Sequence, residues 1–242
     1  MTKQLFYACP VEQPFHPLNE EESRHVCRTL RLKEGDELFL TDGKGHLHGC
    51  RIDHAHPAGC RLRIISTETI PASGLKLHIA MAPTKNINRF EWFLEKATEI
   101  GISEITLLIC AHSERTVVKT DRLRKILISA MKQSLKCWLP VLHEPITFSD
   151  LIHLVSKTES LVDFPQQKFI AWCESGDAEL LQKIYQPGSS ALILIGPEGD
   201  FSPEEVEQAI HAGFIPVSLG KSRLRTETAG IVACCTVVMR NL

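Results

Sequence analysis

Two glycine loops near the C-terminus contain residues whose types and spacing suit a ligand site. The first, Gly196-Pro197-Glu198-Gly199, follows the apolar run Ala191–Ile195, which has the length and branched content of a buried strand. The second, Leu219-Gly220, ends another strand-like run that begins at Ile215. Ligands of parallel α/β sheets bind outside the carboxyl ends of strands, which predicts that the loops are two halves of one pocket. The alternative is that the glycines only close turns.

A helix is predicted between the two loops. Ser202 has the side chain of an N-cap, Pro203 suits the first helical position and Glu205 completes a capping box. The residues of its apolar face are followed by Gly213, a left-handed stop; that face consists of Val206, Ala209 and Ile210. The order strand, loop, helix, strand, loop indicates an α/β fold.

The residues of these loops resemble a known family. IGPEGDFS, followed by VSLG and LRTETAG, resembles the signature segments of the SPOUT superfamily, specifically the RsmE-type ribosomal RNA methyltransferases. Three further segments are similar to the same family: RHVCRTLRLKEGD, APTKNINRFEWFLEKATEIGISEITLLI and HSERTVVK. The resemblance implies a trefoil-knotted, mostly parallel sheet with helices on both faces, preceded by a small PUA-like β-barrel.

The resemblance also implies an activity. S-adenosylmethionine would be the methyl donor, and the acceptor would be N3 of uridine 1498 in the 16S RNA of the small ribosomal subunit. Free 16S RNA or the assembled small subunit would be the partner, and the chain would act as a homodimer. A protonated N3 requires either a base or a group that stabilises the developing anion.

The resemblance assigns roles to residues of both loops. Arg225 is expected to stabilise charge on the uracil oxygens or to hold an RNA phosphate. Glu198 and Glu227 are the two candidate bases; alternatively, Glu198 braces its loop and Glu227 favours a helix N-terminus. The expected cofactor contacts are Gly196, Pro197, Glu198, Gly199, Leu219, Gly220, Leu224, Arg225, Thr226 and Ala229.

Four positions depart from the family pattern. A second glycine usually stands where this chain has Asp200, and Ile usually stands at the position of Arg223. Lys221 and Ser222 also differ from the commoner residues. The departures lie beside the glycines of the predicted pocket, so they bear on substrate recognition more than on cofactor binding.

Two basic segments are candidate RNA contacts. Residues 24–33 contain Arg24, Arg28 and Arg31 without an acidic residue, in the part that resembles the PUA-like domain. Residues 119–136 contain six basic residues against one acid and have the apolar periodicity of a helix. Lys119 and Lys132 of this second segment, together with Arg115 in the preceding loop, are predicted to contact RNA. For both segments the alternative is an ordinary solvated helix face.

The pattern along the chain predicts two domains. Residues 32–70 alternate apolar and polar side chains between glycine turns, which indicates a small antiparallel barrel or sandwich. A linker at residues 71–74 separates an RNA-binding domain, residues 1–72, from a methyltransferase domain, residues 73–242. In the second domain, Asn88 is predicted to cap a helix that ends at Gly101. Residues 231–239 fit a strand or a buried helix equally by periodicity, and the resemblance favours a helix at a dimer interface.

Composition sets further limits on function. The chain of 242 residues carries a net charge of −2 and no apolar run long enough to span a membrane. Residues 1–10 lack a signal-peptide pattern, and nine cysteines without a C-x-x-C pair favour a reduced, cytoplasmic protein. His46, His48, Cys50, His54, His56 and Cys60 match no standard zinc spacing, so no metal is expected.

Two other functional classes stay open. A non-catalytic RNA-binding or ribosome-assembly protein could keep the same fold. A nucleotide-phosphate enzyme is disfavoured because neither G-x-x-x-x-G-K-[ST] nor G-x-G-x-x-G occurs.

Overall fold

The structure, a computed structural model, describes residues 4–157, 166–172 and 178–242. The chain divides into two compact units, one formed by Met1–Ala72 with Met131–Leu139 and the other by Ser73–Ala130 with Pro140–Leu242. Nothing in the sequence pattern predicted that residues 131–139 belong with the N-terminal unit.

The N-terminal unit is built on a five-stranded sheet. Its strands lie in the order β1-β3-β4-β5-β2, and the β3-β4-β5 pairs are antiparallel, as the alternating pattern predicted. β1 pairs with β3 in parallel, which that pattern did not predict. The elements are β1 (Leu5–Tyr7), β2 (Phe15–Pro17), α1 (Glu20–Arg24), a π-helical turn (His25–Thr29), β3 (Glu37–Thr41), β4 (His46–His54) and β5 (Arg61–Thr69).

Asn19 and Glu22 have the spacing of a capping box, which predicts a helix from there to about Leu30; α1 begins at this position and ends earlier. Asn19 Oδ1 accepts a hydrogen bond from the backbone N–H of Glu22 at 2.9 Å, which is half of the predicted capping box. The Glu22 carboxylate accepts instead from Lys132 Nζ at 2.6 Å. The predicted helix to Leu30 becomes π-helical after Arg24.

Residues 131–139 join this unit through hydrogen bonds to the turn between β3 and β4. Gly45 N–H donates to Cys137 O, Leu139 N–H donates to Gly43 O, and Trp138 Nε1 donates to Ile70 O, all within 3.0 Å. Gly45 has φ +94°, and a Cβ there would collide with the Trp138 ring. Glycine is therefore required at Gly45 for the segment to dock.

The second unit is built on a six-stranded sheet in which every pair is parallel, with the order β11-β9-β10-β6-β7-β8. This confirms the predicted parallel α/β sheet. Its strands are β6 (Leu77–Met81), β7 (Glu104–Ile109), β8 (Val141–Thr147), β9 (Gln167–Ala171), β10 (Ala191–Ile195) and β11 (Ile215–Val217). Its helices are α2 (Ile87–Ile100), α3 (Thr120–Gln133), α4 (Phe148–Lys157), α5 (Leu181–Ile184), α6 (Pro203–His211) and α7 (Thr226–Met239).

Helices cover both faces of this sheet. On one face α7 lies against α2 and β6, so closely that a Cβ on Gly230 would fall 2.7 Å from the Phe93 ring and 2.9 Å from Met81 Sδ. On the other face, residues of α4 and α6 share a buried cluster with strand residues such as Ala80, Leu108 and Leu194. The central strands, above all β10 with five buried residues, are therefore shielded from water on both sides, as their apolar sequences require.

Local signals predicted both ends of α6 and the C-terminal end of α2 at Gly101. The Ser202–Glu205 capping box of α6 is complete, and Gly213 follows that helix with φ +82°. The predicted cap at Asn88 is wrong: Asn86 caps α2, its side chain accepting from Asn88 N–H at 3.2 Å. Asn86 has the extended backbone that an N-cap needs, whereas Asn88 already lies in the first turn.

The C-terminal apolar run is helical and forms most of α7. The apolar run from Phe169 to Cys173 predicts a strand, and β9 includes its first part; Cys173 lies outside the described residues. Among the described helices, none has the length and apolar content needed to cross a membrane.

Candidate active site

The carboxyl ends of the parallel strands bring the two predicted glycine loops to one edge of the sheet. One loop follows β10 and the other follows β11, and β9 lies between these strands. Neighbouring strands are about 4.8 Å apart, so the two loops begin about 10 Å from each other. This separation suits the two sides of one small-molecule pocket, and the edge is the one at which α/β proteins bind ligands.

The loop after β10 is a tight turn. Asp200 N–H donates to Pro197 O at 3.0 Å, and Asp200 itself has φ +62°, in the left-handed region. Its Oδ1 accepts from Phe201 N–H at 2.8 Å. The left-handed backbone explains why a glycine would suit this position, and Asp is among the side chains that tolerate it best. The departure at Asp200 therefore leaves the loop conformation intact.

Neighbouring loops hold this turn in place. Glu198 Oε1 accepts from Lys85 N–H at 2.9 Å in the segment after β6. The imidazole of His112, after β7, lies with Nδ1 3.1 Å from Gly199 O and 3.0 Å from Asp200 O, so this nitrogen carries the proton and donates. The alternative prediction for Glu198, that it braces its loop, therefore agrees with its hydrogen bond to Lys85 N–H.

The start of α6 is hydrogen-bonded to the segment that follows β7. The buried Glu205 carboxylate accepts from Ala111 N–H at 2.8 Å through Oε1 and from Ser202 N–H at 2.9 Å through Oε2. Burial and the nearby Glu205 raise the pKa of the Cys110 thiol, which therefore stays protonated at neutral pH. Cys110 is a packing residue rather than a nucleophile.

The segment after β6 is held from a second side. Arg115 donates from Nε to Thr84 O at 3.2 Å and from Nη2 to Lys85 O at 2.7 Å. Lys85 Nζ pairs with Glu114 at 2.7 Å, and the hydrogen bond to this carboxylate raises the pKa of Lys85. Arg115, a predicted RNA contact, thus supports the main chain of the site, and RNA contact by Arg115 stays a prediction.

The start of α7 carries a buried acid, Glu227. Arg225 is the exposed N-cap residue, and Thr226 and Glu227 behind it are buried. Glu227 Oε1 lies 3.8 Å from Arg89 Nε of α2. Glu227 Oε2 is buried and has no hydrogen-bond partner among the described residues. An unpaired buried carboxylate oxygen is costly, which marks the place where a ligand donor would be bound.

The three loop glycines have different surroundings. A Cβ on Gly196 would lie 3.2 Å from the Phe201 ring, and one on Gly199 would lie 3.1 Å from His112 Cβ. Gly220 has φ +137°, and a Cβ there would meet no atom within 4 Å. Open space therefore borders the backbone of the second loop, where a ligand can approach the main chain.

The remaining predicted cofactor contacts lie on the same loops and on the first turns of α7. Pro197 is buried, whereas Leu219, Leu224 and Ala229 are partly exposed. Sequence reasoning missed Lys85, Arg89 and His112 as parts of the site. They belong to family-like segments, but no spacing rule connects them with residues about 90 to 140 positions later.

Two of the predicted RNA contacts of the N-terminal unit lie along one groove. Arg24 and Arg28 line it together with His25, Thr29 and Lys132, and both arginines are exposed. The groove also includes Glu21 and Glu22, and Arg24 pairs with Glu20 at 3.5 Å. The groove is thus less positive than the segment of residues 24–33 predicts. Arg31 is exposed after the π-helical turn, with φ +56°.

A second basic groove follows the first turns of α3. Lys119, Arg122 and Lys125 line it with one acid, Asp121. Arg122 is engaged with Glu91, donating from Nη2 to Oε2 at 2.8 Å. Lys119 and Lys125 are exposed, which keeps the surface of α3 available as a predicted RNA contact.

The histidines and cysteines between residues 46 and 60 are engaged in the fold of the N-terminal unit. His48 is buried, with Nδ1 2.9 Å from Thr67 Oγ1. Cys50 and Cys60 belong to the apolar core, and burial raises the pKa of each thiol to about 12. Neither thiol is therefore a ready thiolate ligand at neutral pH.

Comparison with known proteins places this chain in a family. The family model for an RNA methyltransferase domain matches residues 71–238, and the model for an RNA methyltransferase PUA domain matches residues 18–65. Two relatives named ribosomal RNA small subunit methyltransferase E are similar over most of the chain. The protein from Mesomycoplasma hyopneumoniae is 31% identical, covering 93% of this chain and 95% of the relative. That from Synechocystis is 30% identical, covering 91% and 71%.

Solved structures agree with this placement. A probable rRNA methyltransferase from Porphyromonas gingivalis superposes with a TM-score of 0.85 at 44% identity, over 96% of this chain and 95% of that one. Ribosomal RNA small subunit methyltransferase E from Neisseria gonorrhoeae, solved with S-adenosylmethionine, gives 0.77 at 27%, over 96% and 95%. A methyltransferase from Legionella pneumophila, also solved with the cofactor, gives 0.85 at 26%, over 98% and 97%.

These likenesses confirm the predicted fold class and the predicted enzyme class. The chain is an RNA methyltransferase that belongs to the family of ribosomal RNA small subunit methyltransferase E.

Proposed function

We propose that the chain uses S-adenosylmethionine to methylate the ribosomal RNA of the small subunit, at N3 of uridine 1498 in 16S RNA. The observation that carries the proposal is the unpaired buried oxygen of Glu227, at the same sheet edge as the two glycine loops. The names of the relatives supply the substrate class, and the cofactor bound in two similar structures supplies the methyl donor.

The residues at this edge fit the cofactor. The open space beside Gly220 admits a ligand against the main chain of the second loop. When bound, S-adenosylmethionine supplies an electrophilic methyl group. The residues proposed to hold it are the predicted set: Gly196, Pro197, Glu198, Gly199, Leu219, Gly220, Leu224, Arg225, Thr226 and Ala229.

Glu227 is the better of the two candidate bases. One oxygen of Glu198 accepts the N–H of Lys85, and this carboxylate is exposed to water. Glu227 is 8% exposed and keeps one oxygen without a hydrogen-bond partner in the described part of the chain, so it can accept the proton on N3 of uracil without breaking a hydrogen bond of the fold. Arg89 orients the carboxylate through its other oxygen.

Arg225 is proposed to stabilise the charge that develops on the uracil oxygens. Its side chain is exposed and its backbone caps the helix that carries Glu227, two residues later. A guanidinium offers paired donors to a planar group that bears two oxygens. The bonds from Lys85, His112 and Arg115 keep the loops fixed, so the protein's contribution is mainly positioning and electrostatics.

RNA binding is proposed for the predicted basic residues. In the N-terminal domain, residues 1–72, Arg24, Arg28 and Arg31 present exposed guanidinium groups suited to phosphates. From residues 112–136 the proposed contacts are Arg115, Lys119 and Lys132. Lys132 is paired with Glu22, so its phosphate contact requires that ion pair to rearrange.

A homodimer in the cytoplasm is proposed as the acting form. Helix α7 is apolar on all sides, yet its described residues bury mainly one face through Ala233, Cys234 and Val237. Met239 is 71% exposed. A helix that is hydrophobic all round is expected to be buried, and a second copy of the chain would cover its remaining surface. Sedimentation analysis that gives a monomer at micromolar concentration would contradict this part.

The test is methylation of small subunits from cells that lack the endogenous modification. Purified protein and labelled S-adenosylmethionine should introduce one methyl group per subunit, and nuclease digestion with mass mapping should locate it as 3-methyluridine at position 1498. Glu207→Gln, on the exposed face of α6, is the matched control and should retain full activity. Methylation elsewhere would reject the site only, whereas absence of RNA methylation by folded, cofactor-binding protein would favour a non-catalytic RNA-binding protein.

A further inference from the structure

Three side chains of types that can bind a metal ion lie close together on one face of the parallel sheet, on adjacent strands. They are His78 of β6, Glu104 of β7 and His143 of β8, and one possible ligand atom from each lies within 4.8 Å of the others. Strand register brings them together, because His78 is paired with Glu104 and Thr106 with His143.

This cluster is separate from the candidate active site. It lies toward the amino ends of the strands, whereas the glycine loops follow the carboxyl ends. His78 precedes Met81, the last residue of β6, by three positions, which is about 10 Å along a strand. The cluster therefore has no part in the methylation chemistry proposed above.

The spacing of the ligand atoms suits a small tetrahedral ion. Glu104 Oε2 lies 2.9 Å from His143 Nε2 and 3.9 Å from His78 Nδ1. Two ligand atoms bound to one Zn²⁺ at about 2.0–2.1 Å in tetrahedral geometry lie about 3.3–3.4 Å apart. These two distances fall on either side of that value, and all three ligand atoms lie within 4.8 Å of one another, close enough for small side-chain movements to bring them around one ion.

The cluster also has the supporting bond that metal-binding histidines use. Thr106 Oγ1, in a side chain that is 3% exposed, lies 2.8 Å from His78 Nε2. This bond fixes the ring so that Nδ1 faces Glu104, as an outer-shell partner does in zinc sites.

We propose that His78, Glu104 and His143 bind one Zn²⁺ ion. Two imidazoles and a carboxylate favour Zn²⁺ over Mg²⁺ or Ca²⁺, which prefer sets made of oxygen alone. The side chain of His143 is 42% exposed, so solvent supplies the fourth ligand. The ion would join the edge strand β8 to β7 and β6 and stabilise the sheet by binding the folded state.

The experiment is metal titration of the full, metal-free chain. Zn²⁺ competed against a chromophoric chelator should bind with a stoichiometry of one and raise Tm. His143→Gln and Glu104→Gln should each weaken Zn²⁺ binding by on the order of 100-fold or more, and Thr106→Val by about 10-fold. His153→Gln, which removes an exposed histidine of α4 in the same unit, should bind as the unaltered chain does. Neither readout depends on methyltransferase activity.

Co²⁺ in place of Zn²⁺ identifies the ligands. Visible absorption bands of a tetrahedral site are expected, without the near-ultraviolet charge-transfer band of a cysteine thiolate. Three results would each overturn the proposal. They are one-to-one binding that persists in both His143→Gln and Glu104→Gln, a thiolate band, and no Zn²⁺ binding by the folded chain. If Glu104→Gln fails to fold, His143→Gln at the exposed edge still decides it.

Discussion

Replacing Glu227 by Gln separates a chemical role of this carboxylate from a structural one. Glutamine keeps the size of the side chain and its contact toward Arg89, but it cannot take up a proton. If Glu227 is the base, methyl transfer at saturating cofactor and RNA should slow by about 10²–10⁴-fold. Cofactor affinity should change little, because the shape of the pocket is preserved.

The stability of the same variant should stay almost unchanged. At 3.8 Å, attraction between Glu227 and Arg89 amounts to about 4 kcal/mol at an effective dielectric constant of about 20. The opposing penalty for burying an ionised carboxylate is several kcal/mol, and one oxygen recovers none of it through a hydrogen bond. These opposing contributions are similar in size, so Glu227→Gln should shift Tm by no more than about 4 °C.

A second buried glutamate provides the contrast. Glu205 is also 8% exposed, but both of its oxygens accept backbone N–H groups. Glu205→Gln places an amide donor against one of those N–H donors, which costs about 1–3 kcal/mol. Its Tm should fall by about 2–12 °C. Although the two glutamates are equally exposed, Glu227→Gln is expected to lower the rate of methyl transfer, whereas Glu205→Gln is expected to lower Tm.

Single-turnover methylation of small subunits and thermal unfolding, measured on both variants, decide the matter. The reasoning about Glu227 fails if Glu227→Gln reacts at the unaltered rate. A lowered Tm together with that rate would show that the residue only favours the N-terminus of α7. Glu207→Gln, exposed on α6, controls for loss of an acid as such.

Further predictions concern the other residues of the proposed function. Arg225→Ala should slow single-turnover methylation by about 10²–10³-fold with little loss of cofactor affinity. Arg225→Lys should recover only part of that rate, since an ammonium lacks the planar fork, and an unaltered rate for Arg225→Ala would remove Arg225 from the chemistry. By calorimetry, Gly220→Val should abolish cofactor binding, and it should lower Tm as well, because a side chain at φ +137° strains the backbone even where its Cβ meets no atom within 4 Å. Gly199→Val should abolish binding and also lower Tm, since its Cβ would lie 3.1 Å from His112 Cβ; unchanged affinity in either folded variant contradicts the pocket. Replacing Arg24, Arg28 and Arg31 together by Ala should weaken RNA binding and reduce the slope of log K against log salt by about 2–3. If the RNA affinity and the salt slope are both unchanged in this variant, the three arginines form only a solvated face.

Local chemistry made much of the second unit predictable. The capping box at Ser202 and Glu205, the stop at Gly213 and the bounds of β10 depend on residues within a few positions of each other. The placement of both glycine loops followed from the rule for carboxyl ends of parallel strands. The helical state of residues 231–239 did not follow from periodicity, because a run that is apolar on every side has no distinct face.

Contacts between distant segments were beyond such rules. The pairing of Glu227 with Arg89 joins residues 138 positions apart, and that of Glu198 with Lys85 joins residues 113 apart. Docking of residues 131–139 on the turn at Gly45 depends on a positive φ and on the Trp138 ring, and neither has a signature in the sequence. Strand register alone brought His78, Glu104 and His143 together.

The residues of the proposed pocket differ in how strongly they indicate a bound ligand. All three loop glycines have reasons within the chain itself: Gly196 faces Phe201, Gly199 faces His112, and Gly220 has φ +137°. They would be needed even in a protein that binds nothing. Glu227 is different, because an apolar or fully paired side chain at its position would make the fold more stable than a buried carboxylate with an orphaned oxygen. A protein that only binds RNA would gain nothing from this loss of stability. An enzyme that must take a proton from uracil gains its base.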